Sequence, residues 1–184
     1  MEIKEKEEEE VVQQQYLTFF LADEEYAINI QRVKEIIEYT TVTRVPKMPE
    51  WIRGVINLRG NVVPVVDLTV RFGLEESPVT KTTCIVIVEV EQDSDRTVMG
   101  VMADAVNQVI DLAPKDIEEP PAFGTRVRLE YLSGMGKLGK KFALILNIDS
   151  VLSNTELLTV STLQAADEEG QSDADHSSGE QLEA

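Results

Sequence analysis

The chain carries two imperfect copies of one pattern. Displaced by 73 positions, residues 26–38 overlay residues 99–111: Val33 falls on Val106, Ile36 on Val109, Ile37 on Ile110 and Glu38 on Asp111. Displaced by 80, Gly54 falls on Gly134, Leu58 on Leu138, Val65 on Ile145 and Leu68 on Ile148. A repeated unit of about sixty residues is an internal duplication, and it halves the problem of what this chain can fold into. Each copy reads as short apolar stretches separated by turn residues, the pattern of a small barrel. A barrel of that size buries too little surface to be stable alone. Two similar β-barrels packed side by side would share an apolar seam and so support each other.

Taken in order, residues 16–21 and 26–30 read as a first hairpin, turned by Asp23, Glu24 and Glu25. Residues 31–38 read as a short helix or bent strand with Val33, Ile36 and Ile37 on one side, and residues 40–45 as extended. Residues 54–58 and 62–67 make a central hairpin. Gly60 and Asn61 tolerate positive φ at its turn, and Pro64 marks its second strand as an edge or irregular strand. A helical turn is expected at 68–73 and a linker at 75–81. The β-branched run 83–90 reads as a strand buried on both faces. Further short strands follow at 98–101, 129–132, 134–138 and 142–146, then a helix over 147–163. The resulting division is a disordered acidic tail at 1–14 and a folded body at 15–153, whose two barrels change over near 75–82. Residues 154–184 hold the helix end and a second disordered acidic tail.

The formal charge of −17 sits mostly in those tails. Residues 1–14 hold six acids and two bases, and residues 151–184 hold eight acids and no Lys or Arg, so the body between them carries −5. Nucleic acid and anionic lipid both call for a basic surface, which this balance does not provide. No apolar run approaches the roughly 20 residues that a membrane-crossing helix needs. The glutamate-rich start is unlike a signal peptide, and a single cysteine rules out an internal disulfide, so a reducing cytoplasm is expected.

Catalytic chemistry has no visible carrier. The one histidine, His176, lies in the acidic tail, leaving the body without an imidazole base or ligand. Cys84 lies in an apolar strand and reads as a buried small hydrophobe. The run Gly134-Met135-Gly136 lacks the ending of a phosphate loop, and Asp104, Asp111 and Asp116 match no calcium loop. No cofactor or metal is expected. Arg59 has two readings. It either caps its hairpin against a carboxylate or anchors a protein-binding groove, since arginine is enriched where interfaces concentrate their energy. Glu35 is the expected partner, the two flanking an apolar patch of Val33, Val106 and Val109. Phe123, after Pro120 and Pro121, is either a lid on its own core or an exposed anchor for a partner.

The run 52–68, Ile-Arg-Gly-Val-Ile-Asn-Leu-Arg-Gly-Asn-Val-Val-Pro-Val-Val-Asp-Leu, closely resembles the hallmark segment of the CheW-like family of chemotaxis coupling proteins. The likeness extends to residues 16–28, 100–111 and 131–136, and covers about 15–153. Length favours a free-standing coupling protein over the related kinase and CheV modules. The resemblance implies an all-β fold with short helices: two SH3-like five-stranded β-barrels plus a C-terminal helix, without catalysis. It implies an adaptor that couples methyl-accepting chemoreceptors to the regulatory domain of the histidine kinase CheA, cytoplasmic, monomeric alone, and at the membrane only through receptor arrays. A coupling protein of a twitching or second-messenger pathway is the alternative, and a small ligand-binding barrel or enzyme a more distant one. Carried over residue by residue, the receptor groove would include Val33, Glu35, Gly54, Arg59, Gly60, Val106 and Val109, with Phe123 at a kinase contact. Glu118 and Glu119 stand where the family often has a basic residue, and the acidic tails lie outside the shared pattern.

Overall fold

The structure, a computed structural model, describes residues 12–120 and 127–152. Its strands are β1 (Gln14–Leu21), β2 (Glu24–Asn29), β3 (Val33–Glu38), β4 (Ile52–Leu58), β5 (Asn61–Val66), β6 (Cys84–Gln92), β7 (Asp95–Ala103), β8 (Ala105–Leu112), β9 (Ile117–Glu118), β10 (Leu132–Leu138) and β11 (Lys141–Leu146). Two short helices, α1 (Leu68–Arg71) and α2 (Ile148–Leu152), follow β5 and β11. One sheet has the order β8-β1-β2-β11-β10-β9 and the other β3-β6-β7-β5-β4.

The duplication is visible in the pairing. β4–β5–α1 and β10–β11–α2 have the same layout, with a register shift between Ile52 and Gly54 in one and between Leu132 and Gly134 in the other. Each copy then makes one parallel contact with a neighbouring hairpin. Val65 pairs with Gly100 and, at the matching positions, Ile145 pairs with Ala27. The sheets also close in the same way. Thr43, beyond β3, bridges to Val55 of β4, and β9, beyond β8, pairs with β10. The two-residue β9 is therefore the counterpart of the Thr43 bridge, and each sheet rolls into a small barrel.

The barrels do not divide the chain near 75–82. That segment joins α1 to β6, and β4, β5, β6 and β7 all lie in one sheet. The two copies instead exchange their hairpins: β1–β2 completes the barrel of β8, β10 and β11, while β6–β7 completes that of β3, β4 and β5. Sequential order could not reveal this, because the parallel contacts that join the exchanged hairpins are long-range.

Among the described residues, three apolar cores result. Ile56, Val63, Val65, Ile85, Ile87 and Met102 fill one barrel, and Tyr16, Ala27, Leu112, Ala143 and Ile145 fill the other. The largest core lies between them and draws Phe19, Tyr26 and Ile28 from one barrel and Val86, Val88 and Met99 from the other. β6 serves two cores because successive side chains of a strand face opposite ways. At the seam, Arg71 of α1 lies over Trp51, 4.5 Å from the ring centre, and over Tyr131 at 5.6 Å. Trp51 and Tyr131 are themselves 80 positions apart, so one cation joins the matching aromatics of both copies.

Other local expectations shift. Residues 30–32 form a single 3-10 turn, and 33–38 are strand rather than helix. A bulge between Val33 and Glu35 splits the expected apolar face. Val33 packs on the shared core and Ile37 on a barrel core, while Ile36 is exposed. β5 is an inner strand, not an edge, yet its pairing with β7 begins only at Val65, so Pro64 sits where no ladder bond to β7 is required. Residues 129–132 are not a separate strand: Leu129–Tyr131 is a 3-10 turn and β10 runs unbroken from Leu132. The expected C-terminal helix is described as far as Leu152, and its remainder and both acidic tails fall outside the described residues, apart from residues 12–14, of which Gln14 opens β1.

Candidate functional site

The site begins with a two-residue turn. Leu58 pairs with Asn61, leaving Arg59 and Gly60 as the loop, both at positive φ (+51° and +85°). Two successive positive φ values match the twist of the flanking strands. The turn therefore uses Arg59-Gly60, not the expected Gly60-Asn61. Asn57 reinforces it by accepting the Gly60 N–H on its side-chain oxygen at 2.9 Å. Glycine adopts this backbone readily, whereas arginine resists it. The second copy places Gly139, at φ +61°, at the position matching Arg59. A side chain kept where glycine suits the backbone better points to a role beyond the turn.

That side chain meets Glu35. Arg59 donates through Nη1 to Oε1 at 2.9 Å and through Nη2 to Oε2 at 2.8 Å, a two-pronged pair. β3 and β4 stand at opposite ends of the sheet order, so only barrel closure through Thr43 brings Glu35 and the hairpin tip together. The hydrogen bond, and then the charge, of Glu35 raise the guanidinium pKa further above its already high value. Arg59 keeps 75 % of its side chain exposed against 26 % for Glu35. The carboxylate holds the cation in a fixed direction and leaves most of it open to a partner. Beside the pair, the mouth of the barrel opens into a cavity of about 620 Å³, lined by Val62, Val63, Val98 and Met99 and rimmed by Lys34 and Arg96.

The remaining expected residues fall in different places. Val33 on β3 and Val106 on β8 are half-buried and pack on the shared core from the free edge strands of the two sheets. Val109 is 51 % exposed on β8. Gly60 is exposed in the turn. Gly54 is buried: at φ +146°, a Cβ there would stand 2.1 Å from the Thr43 carbonyl oxygen. It lets the barrel close and offers no surface of its own. Phe123 lies outside the described residues. Glu118 pairs with Lys137 at 2.9 Å, so a cation accompanies this acid.

Among the described residues, several exposed apolar side chains lie outside the expected site set. Ile36, expected on one side with Val33 and Ile37, is open like Val109, its counterpart 73 positions on; Val62 is open like Phe142, its counterpart 80 positions on. The overlay shows these apolar positions repeat, but buried pairs such as Val65 and Ile145 repeat too, so exposure had no signal in the sequence. Among the described residues, no group of three or more His, Cys, Asp or Glu is placed to hold a metal, and no helix is long and apolar enough to cross a membrane. Burial raises the Cys84 thiol pKa, partly offset by a hydrogen bond with the Val106 backbone.

Residues 15–156 match the CheW-like domain family. The chain is 36% identical to a chemotaxis protein CheW of Klebsiella aerogenes over 151 residues, which cover 82% of this chain and 89% of that protein. It is 34% identical to the chemotaxis protein CheW of Helicobacter pylori over 150 residues, covering 81% and 86%. A crystal structure of the scaffolding protein TtCheW from Thermoanaerobacter tengcongensis superposes with a TM-score of 0.70 at 32% identity, covering 79% of this chain and 91% of that one.

Proposed function

Because the chain belongs to the CheW-like domain family, we propose that it is a non-enzymatic adaptor of bacterial chemotaxis signalling. It couples methyl-accepting chemoreceptors to the histidine kinase CheA and supports kinase control in receptor arrays. A receptor's helical hairpin lies along the edges of β3 and β8, its apolar face against Val33, Val106 and Val109, with Ile36 added to that surface. Arg59, aimed by Glu35, fixes the register of the helix; this is helix-in-groove recognition. Gly54 and Gly60 act indirectly, by closing the barrel and shaping the turn. Phe123 contributes to a kinase contact. The protein acts in the cytoplasm and reaches the membrane through its receptors.

One observation supports this reading most strongly: Arg59 occupies a backbone position that the second copy gives to Gly139, and its guanidinium is oriented but left exposed. An internal stabiliser would be better placed elsewhere. The test exchanges Arg59 for Ala and measures melting alongside binding of a receptor-tip fragment and of the CheA regulatory domain. Receptor binding is expected to fall with kinase binding and melting nearly unchanged. A lowered melting point with receptor affinity intact would assign Arg59 to the fold instead.

A further inference from the structure

We propose that the chain's own C-terminal segment, residues 157–169, docks across the barrel mouth beside Arg59 and covers it in the free protein. The path of the backbone leads there. Helix α2 is held against the β6–β7 barrel by Asp149, which takes both prongs of Arg32 at 3.0 and 2.6 Å and also accepts the Glu91 N–H at 3.0 Å. Arg71 donates to the Val151 carbonyl at 3.3 Å, and Gln92 Nε2 donates to the Leu152 carbonyl at 2.8 Å. Gln92 itself lines the cavity at the barrel mouth. The described chain therefore ends at the rim of that cavity. Residues 153–156 can reach about 14 Å from that rim when extended.

The chemistry of segment and cavity match. Residues 157–163 bring Leu157, Leu158, Val160 and Leu163, and the mouth presents the exposed Val62 and the half-buried Val98 above the buried Val63 and Met99. Asp167, Glu168 and Glu169 follow, and no Lys or Arg occurs from 153 to 184. The rim carries Lys34, Arg59 and Arg96, with 49 %, 75 % and 69 % of their side chains exposed. Their present partners, Glu35, Glu89 and Glu91, balance these charges but leave about half or more of each cationic side chain exposed to further contacts. A short tether holds such a segment at an effective concentration of about millimolar. Even a weak contact is then substantially occupied, yet yields to a tighter partner. The acidic tail, which the body's fold does not require, thereby becomes a competitor for the surface that carries Arg59.

The test is made on the free full-length protein, so its outcome is independent of the receptor reading. Cys84→Ser removes the native thiol, and Ser161→Cys carries a nitroxide label. Backbone amide signals are compared with the label oxidised and reduced. The amides of Val62, Thr97 and Val98 should lose most of their intensity, while those of Ile117 and Glu118 in the other barrel keep theirs. Adding Leu157→Ser and Leu158→Ser should restore the lost signals, and raising the salt should restore them in part without any further substitution. Mouth amides that keep their intensity would overturn the proposal. So would a loss seen only when labelled and isotope-enriched copies are mixed, which would make the occupant a second copy.

Discussion

Replacing Gly54 with Ala tests how the barrel closes. A Cβ at this position would lie 2.1 Å from the Thr43 carbonyl oxygen and 2.7 Å from its carbonyl carbon. Both are backbone atoms, so no side-chain rotation relieves the clash. Relief requires separating Thr43 from Val55, which exchange two backbone hydrogen bonds of 2.9 Å each. Losing both costs about 1–3 kcal/mol at 0.5–1.5 each. Holding alanine at a φ suited to glycine adds about 1–3 kcal/mol. The sum, about 2–6 kcal/mol, is a large part of the roughly 5–15 kcal/mol that stabilises a typical domain. Gly60→Ala is the control: its φ is also positive, but a Cβ there meets nothing within 4 Å, so only the same backbone cost, about 1–3 kcal/mol, applies. Urea unfolding followed by fluorescence of Trp51, the sole and buried tryptophan, measures both, and hydrogen exchange should quicken first at Thr43 and Val55. A Gly54→Ala protein no less stable than Gly60→Ala would refute the closure argument. It would also reopen the possibility that Gly54 touches a partner directly.

Arg59→Gly should leave stability unchanged or slightly raised, because the backbone relaxes as an exposed ion pair is lost; thermal melting checks this, and a marked drop would count against the strained-turn reading. Asp149→Asn should cost about 1 kcal/mol, since the Arg32 pair is only partly buried, and hydrogen exchange at Glu91 should rise with it. Burial raises the pKa of both Cys84 and Tyr16. A folded-state pKa above the unfolded one gives stability that is complete below the unfolded value and lost as pH rises through the folded one. Urea midpoints should therefore fall above about pH 8.5 for the thiol, and Cys84→Ser should flatten the first part of that decline.

The continuous β-branched run at 83–90 and the turn residues of the central hairpin were enough to locate strands, because β-branched preference and positive φ are local properties. The overlay of the two copies was legible for the same reason, and it carried the twin barrels and their seam. The pairing of Glu35 with Arg59 was legible as a possibility conditional on β3 lying near the hairpin. What could not be read was the bulge after Val33, which turned Ile36 outward, and the burial of Gly54 beneath Thr43. Both depend on which strand lies opposite, and that is not a local matter.

The amino-acid order alone therefore determined that the chain holds two related β units, that its charge lies in its tails, and that an arginine stands at the tip of the central hairpin. Tertiary structure alone decided that the units exchange hairpins, so that neither barrel is built from one continuous segment. It also decided that closure through Thr43 carries Glu35 to Arg59 from the far end of the sheet. The physical reason is that turn and strand preferences act over a few residues. Barrel closure is instead chosen by the burial of side chains far apart in sequence, and a guanidinium can be aimed only once that closure has brought its carboxylate within reach.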